Sequence, residues 1–167
     1  MLQISLNLNL MKTATVTVLK KELKYKSNDE LLNLCLTLSK FKKENKELLT
    51  YLLFEASDEE AFIQSVKDEV SELFNQINTA SYFYIKKSVR KILRMVKKYI
   101  RYSKKKETEV ELLIYFCTVL KEMHPPMERN TSLLNIFDRQ IILIKKAIGT
   151  LHEDLQYDYN IELEEII

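Results

Sequence analysis

The stretch YIKKSVRKILRMVKKYIRYSKKK, residues 84–106, carries eleven Lys or Arg and no acid, in a chain whose formal net charge is only +2. Its apolar residues recur three and four positions apart, which is the spacing of one face of an α-helix. Turning 100° per residue from Ile85 places them in a sector about 120° wide. The sector contains Ile85, Val89, Ile92, Leu93, Val96, Tyr99 and Ile100. The stretch therefore predicts an amphipathic helix that buries one face against other helices.

The opposite sector of this helix is cationic. It holds Lys86 and seven residues that we name the basic ridge: Lys87, Arg90, Lys91, Arg94, Lys97, Lys98 and Arg101. With a rise of 1.5 Å per residue, the cationic face is roughly 25 Å long. That length is enough to follow several phosphates of a nucleic acid or an acidic helix of a protein partner.

Two interpretations of the basic ridge are open. A charged outer face is usually solvated, and Asp68, Glu72 or the six acids of residues 148–167 can neutralise it. Ordinary surfaces, however, interleave both signs, because like charges one helical turn apart cost a few tenths of a kcal/mol per pair. The uninterrupted ridge therefore favours a partner surface. Phe83 projects among its cations if the helix already includes that residue, but we expect Phe83 to fold inward at the helix entry.

The remainder of the chain also indicates helices. Its 167 residues are 46% hydrophobic and 30% charged, with one Gly and two Pro, which is not the composition of a turn-rich sheet protein. Three Ser/Thr-x-x-Glu capping boxes, Ser27 with Glu30, Ser57 with Glu60 and Thr108 with Glu111, predict helix starts. We expect six helices, with a possible short helix near 15–25. They lie near residues 28–41, 44–56, 58–77, 81–104, 107–123 and 131–157.

Short links between these helices make neighbours antiparallel, so the predicted fold class is all-α, built of consecutive helical hairpins. The hairpins stack as a HEAT-like short α-solenoid or close into a bundle, and no internal repeat decides between the two. We divide the chain into an N-terminal arm or short helix (1–26), a single helical domain (27–157) and an acidic tail (158–167). The alternating leucines of residues 2–10 form a strand-like arm unless the chain starts at Met11.

Residues that carry catalytic chemistry are sparse. His124 stands before two prolines and His152 lies in LHEDL, so neither has metal-ligand spacing along a helix, and we expect loop and capping roles. Cys35 and Cys117 are single thiols in apolar stretches, and we expect both in the core. The sequence therefore predicts no enzyme, no catalytic or metal site, no cofactor and no small-molecule substrate.

No run of eighteen apolar residues occurs, so we predict no membrane span, and the two unpaired thiols are typical of a reducing cytoplasm. The predicted function is a cytoplasmic, non-catalytic protein-interaction or scaffold module. Its contact surface for an acidic protein partner is the basic ridge, within residues 86–106. The alternative is sequence-independent binding of nucleic acid through the same ridge. The sequence leaves the partner's identity and the oligomeric state open.

Overall fold

The computed structural model describes residues 13–167, and every element of regular structure among them is helical. The predicted all-α fold class is confirmed, whereas the HEAT-like arrangement of hairpins stays a prediction. The strand-like arm proposed for residues 2–10 lies outside the described residues. The α-helices are α1 (Val16–Leu23), α2 (Asn28–Phe41), α3 (Lys43–Thr50), α4 (Glu59–Asn75), α5 (Tyr82–Ser103), α6 (Lys106–Glu122), α7 (Thr131–Ile148) and α8 (Glu153–Ile166). A π-helical turn (Tyr51–Glu55) continues α3, and a 3₁₀ turn (Met127–Arg129) precedes α7.

Contacts within the chain define two compact units, one ending at Glu47 and the other spanning Leu48–Ile167. No residue between 13 and 47 is buried. Among residues 13–167, all the buried side chains therefore belong to the second unit. The domain boundaries predicted at residues 26 and 157 stay predictions, although most of the predicted acidic tail lies in α8, whose Leu163 is 2% exposed.

The core of residues 48–167 is organised around α6. Three successive residues of α6, Leu112, Leu113 and Ile114, are buried, and Phe116 is 0% exposed. Three successive residues point in three directions around a helix, so α6 is apolar on nearly all sides and needs neighbours all round it. It has them, because α4, α5, α7 and α8 all contact α6.

The three capping motifs predicted helix starts to within two residues, but only one of them forms the predicted hydrogen bonds. At α2, the Ser27 hydroxyl accepts from the Glu30 amide at 3.3 Å, and the Glu30 carboxylate accepts from the Ser27 amide at 2.9 Å. The box at Ser57 is wrong, because the next residue, Asp58, caps α4 by accepting from the amide of Ala61 at 3.1 Å. A carboxylate competes well for this position, since it also complements the positive end of the helix.

The box at Thr108 is wrong for a different reason. Helix α6 already begins at Lys106, and Thr108 lies fully buried in its first turn. A buried hydroxyl needs a partner, and that of Thr108 donates to the Glu59 carboxylate at 2.6 Å. The supposed partner in the box, Glu111, accepts instead from Lys67 at 3.0 Å.

The helix predicted over residues 131–157 is two helices. Helix α7 ends at Ile148, and Gly149 follows, a residue that costs about 1 kcal/mol inside a helix relative to Ala. The Thr150 hydroxyl donates to the carbonyl of Ala147 at 2.7 Å, which satisfies an acceptor at the helix end. His152 then caps α8 by accepting from the amide of Asp154, as its predicted capping role requires.

A single carboxylate, that of Glu59, joins the start of α4 to the junction between α5 and α6. The hydroxyls of Ser103 and Thr108 donate to one of its oxygens, while the Tyr51 hydroxyl at 2.8 Å and the Lys105 ammonium at 3.0 Å reach the other. Burial raises the pKa of Glu59, but these hydrogen bonds outweigh burial and lower the pKa to about 2.

The low pKa of Glu59 predicts a specific acid sensitivity. The carboxylate of an unfolded chain titrates near 4.5, so the stabilisation is complete above that pH and is lost as the pH falls towards 2. Glu59→Gln should lower the free energy of unfolding at pH 7 by on the order of 2–3 kcal/mol and flatten its fall between pH 4.5 and 2.5. Urea unfolding across this range measures both effects. The exposed Glu164, replaced by Gln, is the control, and equal pH dependence in wild type and Glu59→Gln would contradict the assignment.

The central position of α6 predicts which side chains can be shortened without a large loss of stability. Phe116→Ala removes a fully buried ring and should lower the free energy of unfolding by about 3–5 kcal/mol. Ile142→Ala shortens an exposed side chain of α7 and should change it by less than about 0.5 kcal/mol. Chemical denaturation of the two variants and the wild type makes the comparison. Similar losses at the two positions would show that α6 is not the centre of the core.

Candidate functional site

The basic ridge lies on the outward side of α5. The inward side is fixed, because Ile85, Val89 and Val96 are each 0% exposed and α5 packs against α4 and α6. Five of the seven ridge residues are exposed: Lys87, Arg90, Lys91, Arg94 and Arg101. The helical face that the sequence assigned to these five cations is therefore the face that meets solvent.

Two members of the basic ridge differ from the other five. Lys97 and Lys98 are only partly exposed. Burial lowers the pKa of Lys97, and the nearby carboxylate of Glu109 partly offsets this effect. The Lys98 ammonium lies 4.8 Å from the centre of the Tyr99 ring, within the range of a cation–π contact. Both lysines already interact with their own protein, so the five exposed cations are the stronger candidates for contact with a partner.

The acids of α4 do not neutralise these exposed cations. Asp68 accepts from Gln64 at 2.8 Å within α4, and Glu72 accepts at 3.1 Å from Gln76, the residue that follows the end of α4. Neither of these two acids, which the sequence left open as partners of the ridge, therefore pairs with an exposed ridge cation. Within residues 13–167, no ion pair is formed by any of the exposed ridge residues Lys87, Arg90, Lys91, Arg94 and Arg101.

The end of the basic run behaves differently from the ridge. Lys105 forms an ion pair with Glu59 at 3.0 Å, and Lys106 forms one with Glu109 at 2.5 Å. Lys104, whose φ is 61°, ends α5 in the left-handed conformation. Two of the last three cations are thus used to stabilise the turn between α5 and α6, so the unneutralised charge is concentrated before that turn.

The acids of α8 do not gather on the ridge either. Helix α8 contacts α6 and α7, and the Lys121 ammonium on α6 donates to the carbonyl of Ile166 at 3.0 Å. Burial and the neighbouring carboxylate of Glu111 raise the pKa of Glu162. Glu162 therefore lies beside α6, where it meets another acid rather than a ridge cation.

Helix α5 forms in spite of its own charge. Like-charged neighbours four residues apart, such as Lys87 with Lys91 and Arg90 with Arg94, each cost a few tenths of a kcal/mol. Burying one Ile, Val or Leu contributes about 1.5–3 kcal/mol, and α5 buries five such side chains. The free energy gained by burial therefore exceeds the cost of repulsion several-fold, and α5 is stable as a helix although the charges of the ridge oppose it.

An exposed aromatic pair stands at the start of the ridge. Phe83 is 67% exposed and Tyr84 is 48% exposed, with ring centroids 5.4 Å apart and edge to face. The expectation that Phe83 folds inward is wrong, because α5 already begins at Tyr82. Tyr82 takes the inward place instead, and its hydroxyl donates to the carbonyl of Pro126 at 2.7 Å.

Three other features of the described residues give less support for a functional site: a cavity, the two cysteines and the side chains that could bind a metal. A cavity of about 390 Å³ between the ends of α4 and α6 is lined by Phe74, Val119 and His124 among others. Cys117 is buried, which raises the pKa of its thiol to about 12, whereas Cys35 is exposed, so its predicted core position is wrong. Among residues 13–167, no group of three or more His, Cys, Asp or Glu side chains is placed to hold a metal ion.

None of the helices between residues 13 and 167 has the length and apolar character needed to span a membrane. No protein-family model, curated protein or solved structure matches the chain. The functional assignment therefore rests on the chain's own residues, and the predicted absence of enzyme activity stays a prediction.

The outward position of the ridge predicts how its charge affects stability. Replacing Arg90, Arg94 and Arg101 together with Glu should change the free energy of unfolding by less than about 1 kcal/mol, because the three side chains are exposed. The relief of like-charge repulsion along α5 acts in the stabilising direction. Ile92→Ala, on the inward side of the same helix, should lower it by about 2–5 kcal/mol. Urea denaturation measures both. A large loss in the triple variant would show that the arginines support the fold.

Proposed function

We propose that this protein is a non-catalytic interaction or scaffold module that binds an acidic segment of a partner protein through the basic ridge. The observation that carries the proposal is the set of five exposed cations on one helical face, without an ion pair among the described residues. We place this activity in the cytoplasm, which the two unpaired thiols favour.

The three arginines are the residues best suited to hold carboxylates. Arg90, Arg94 and Arg101 are four and seven residues apart, so they form one line along α5 with spacings of about 6 and 10 Å. A guanidinium presents two parallel N–H groups to a carboxylate, which adds geometric selectivity to charge. Acids spaced at helical intervals on a partner can meet all three at once.

The strength of such binding depends on the number of contacts. An exposed ion pair contributes only about 0–1 kcal/mol, so a single acid on the partner is not enough. Several pairs acting together accelerate encounter and select against cationic partners, and salt weakens both effects. Binding that is moderate in affinity and strongly dependent on salt is therefore expected.

Nucleic acid is a second candidate partner, favoured by the exposed rings of Phe83 and Tyr84. Aromatic side chains beside a cationic face hold single strands by stacking on bases, without reading their sequence. The edge-to-face pair leaves both rings partly open at the start of the ridge, near Lys87. The same cations meet phosphates in this case, so charge alone does not separate the two candidates.

The test compares two charge-reversed proteins. One carries Arg90, Arg94 and Arg101 changed to Glu, and the control carries Arg139, Lys145 and Lys146 of α7 changed to Glu. The three control residues are also exposed, and the net charge changes equally. Fluorescence anisotropy with a Glu-rich helical peptide should show at least tenfold weaker binding by the ridge variant and nearly wild-type binding by the control. Equal losses of affinity in the two variants would show that only the net charge matters, and would refute the basic ridge as the binding site.

Single-stranded oligonucleotides distinguish the second candidate. If nucleic acid is the partner, log affinity should fall linearly with log salt, by about 0.7 per phosphate neutralised. Replacing Phe83 and Tyr84 with Ala should then cost about 1–3 kcal/mol per stacked base. An acidic peptide has no base to stack, so its affinity should not change in that variant. A pull-down from lysate with and without nuclease extends the comparison to natural partners.

A further inference from the structure

The aromatic residue Phe83 lies in line with the arginines of the basic ridge. Turning 100° per residue from Phe83 places Arg90, Arg94 and Arg101 within about 20° of it around α5. With a rise of 1.5 Å per residue, the three arginines follow Phe83 at about 10.5, 16.5 and 27 Å along the helix axis. Phe83 is 67% exposed. One line along α5 therefore presents an apolar ring at its start and three guanidinium groups after it.

Tyr84 gives the apolar end of this line its shape. It is 48% exposed, and its ring stands at 79° to the ring of Phe83, with the ring centroids 5.4 Å apart. Two rings at nearly a right angle form a corner. A branched aliphatic side chain such as Leu can contact both rings of a corner, whereas a flat base can stack on only one of them. The pair therefore fits a compact apolar side chain better than it fits a stack of bases.

We propose that the partner segment of the basic ridge is an amphipathic helix, with acids facing the three arginines and a leucine-like side chain against Phe83 and Tyr84. This inference rests on the proposed function, because the ridge must first bind a protein. Five exposed ridge cations without an ion pair among the described residues favour an acidic occupant. The two exposed rings add an apolar contact that charge by itself does not provide.

The spacing along α5 determines the sequence pattern of such a partner. Steps of seven, four and seven residues separate Phe83, Arg90, Arg94 and Arg101. The same steps stay on one line of a second helix packed alongside, because both helices have 3.6 residues per turn. The three acids of the partner are therefore seven and four residues apart, and its apolar residue is seven residues from the nearest acid.

Helix dipoles favour an antiparallel partner. In that direction the N-terminal turn of the partner helix lies beside Arg101, and its C-terminal turn lies beside Phe83. The acids are then concentrated towards the N-terminus of the partner helix, where negative charge is stabilising. A parallel partner would carry its acids towards the C-terminus, where they are destabilising. The expected order in the partner is thus three acids followed by the apolar residue.

Three helical peptides of equal length and net charge test this pattern. The first has three Glu followed by one Leu at these spacings. In the second, the Leu is moved by two residues, which turns it to the opposite side of the peptide helix. In the third, Gln replaces the Leu. Fluorescence anisotropy should show about five- to twentyfold tighter binding of the first peptide than of the other two. Equal affinities of the three peptides would overturn the apolar contact.

A matched pair of protein variants tests the other side of the contact. Phe83→Ala should weaken binding of the first peptide by about three- to tenfold and leave the Gln peptide unchanged, because only the first has a side chain to lose contact with the ring. The control is Ile142→Ala, which shortens a similarly exposed apolar side chain on α7 and should change neither affinity. Equal effects of Phe83→Ala on the two peptides would contradict a contact between Phe83 and the Leu.

The salt dependence of binding gives an independent measurement. Salt screens ion pairs, whereas apolar burial is not screened. Added salt should therefore weaken the first and third peptides together, and the ratio of their affinities should be preserved. A ratio that falls to one as salt is added would show that the Leu makes no apolar contact, which would overturn the inference.

The variant with Arg90, Arg94 and Arg101 changed to Glu separates this inference from the proposed function. If the triple variant binds all three peptides as the wild type does, the basic ridge is not the site and both fail. If it weakens all three peptides while Phe83→Ala weakens none, the ridge binds acids but the apolar contact is refuted. A loss in Phe83→Ala that is seen with a single-stranded oligonucleotide and with no peptide would assign the rings to bases and also refute the inference.

Discussion

The structure of residues 48–167 depends on the enclosure of one helix, α6, which is apolar on almost every side. Such a helix is stable in water only if its neighbours cover it, and α4, α5, α7 and α8 do so. Each neighbour thereby has one face fixed towards α6, some also pack against each other, and the surface that is left is turned outward. For α5 the outward surface is the basic ridge. The cations are thus displayed because of what lies beneath the helix, and their own repulsion is too weak to alter that orientation.

Local signals predicted helices well and helix ends less well. The spacing of apolar residues gave most helices to within two residues, and α2 was predicted at its observed bounds because Ser27 and Glu30 cap it with contacts inside the motif. The motif at Thr108 failed because the partner of its hydroxyl, Glu59, is 49 residues away in the chain. The break after Ile148 was missed because a single Gly is tolerated in many helices, and the apolar spacing continues through it. A contact distant in sequence thus decided the first case, and a local preference too weak to be decisive by itself decided the second.

The candidate site, too, could be predicted from the sequence only where it depends on a single helix. The angle around α5 identified the outward cations, since that angle depends on sequence position alone. The partial burial of Lys97 and Lys98 depends on neighbouring side chains, which one helix does not reveal. Cys35 illustrates the opposite error: an apolar stretch predicts burial only where the chain supplies a cover, and α2 has none among the described residues.

The unneutralised charge of α5 couples the folding of this protein to its surroundings. Added salt screens the repulsion along the helix and favours the folded state, while the same screening would weaken the attraction between the helix and the anionic partner that we propose for it. Stability and association thus respond to ionic strength in opposite directions. A buffer selected for the highest melting temperature would select against the complex, whereas dilute buffer would favour the complex and leave the free protein closer to unfolding. A bound anion resolves this conflict, because it neutralises the helix and stabilises the fold by the free energy of its own binding.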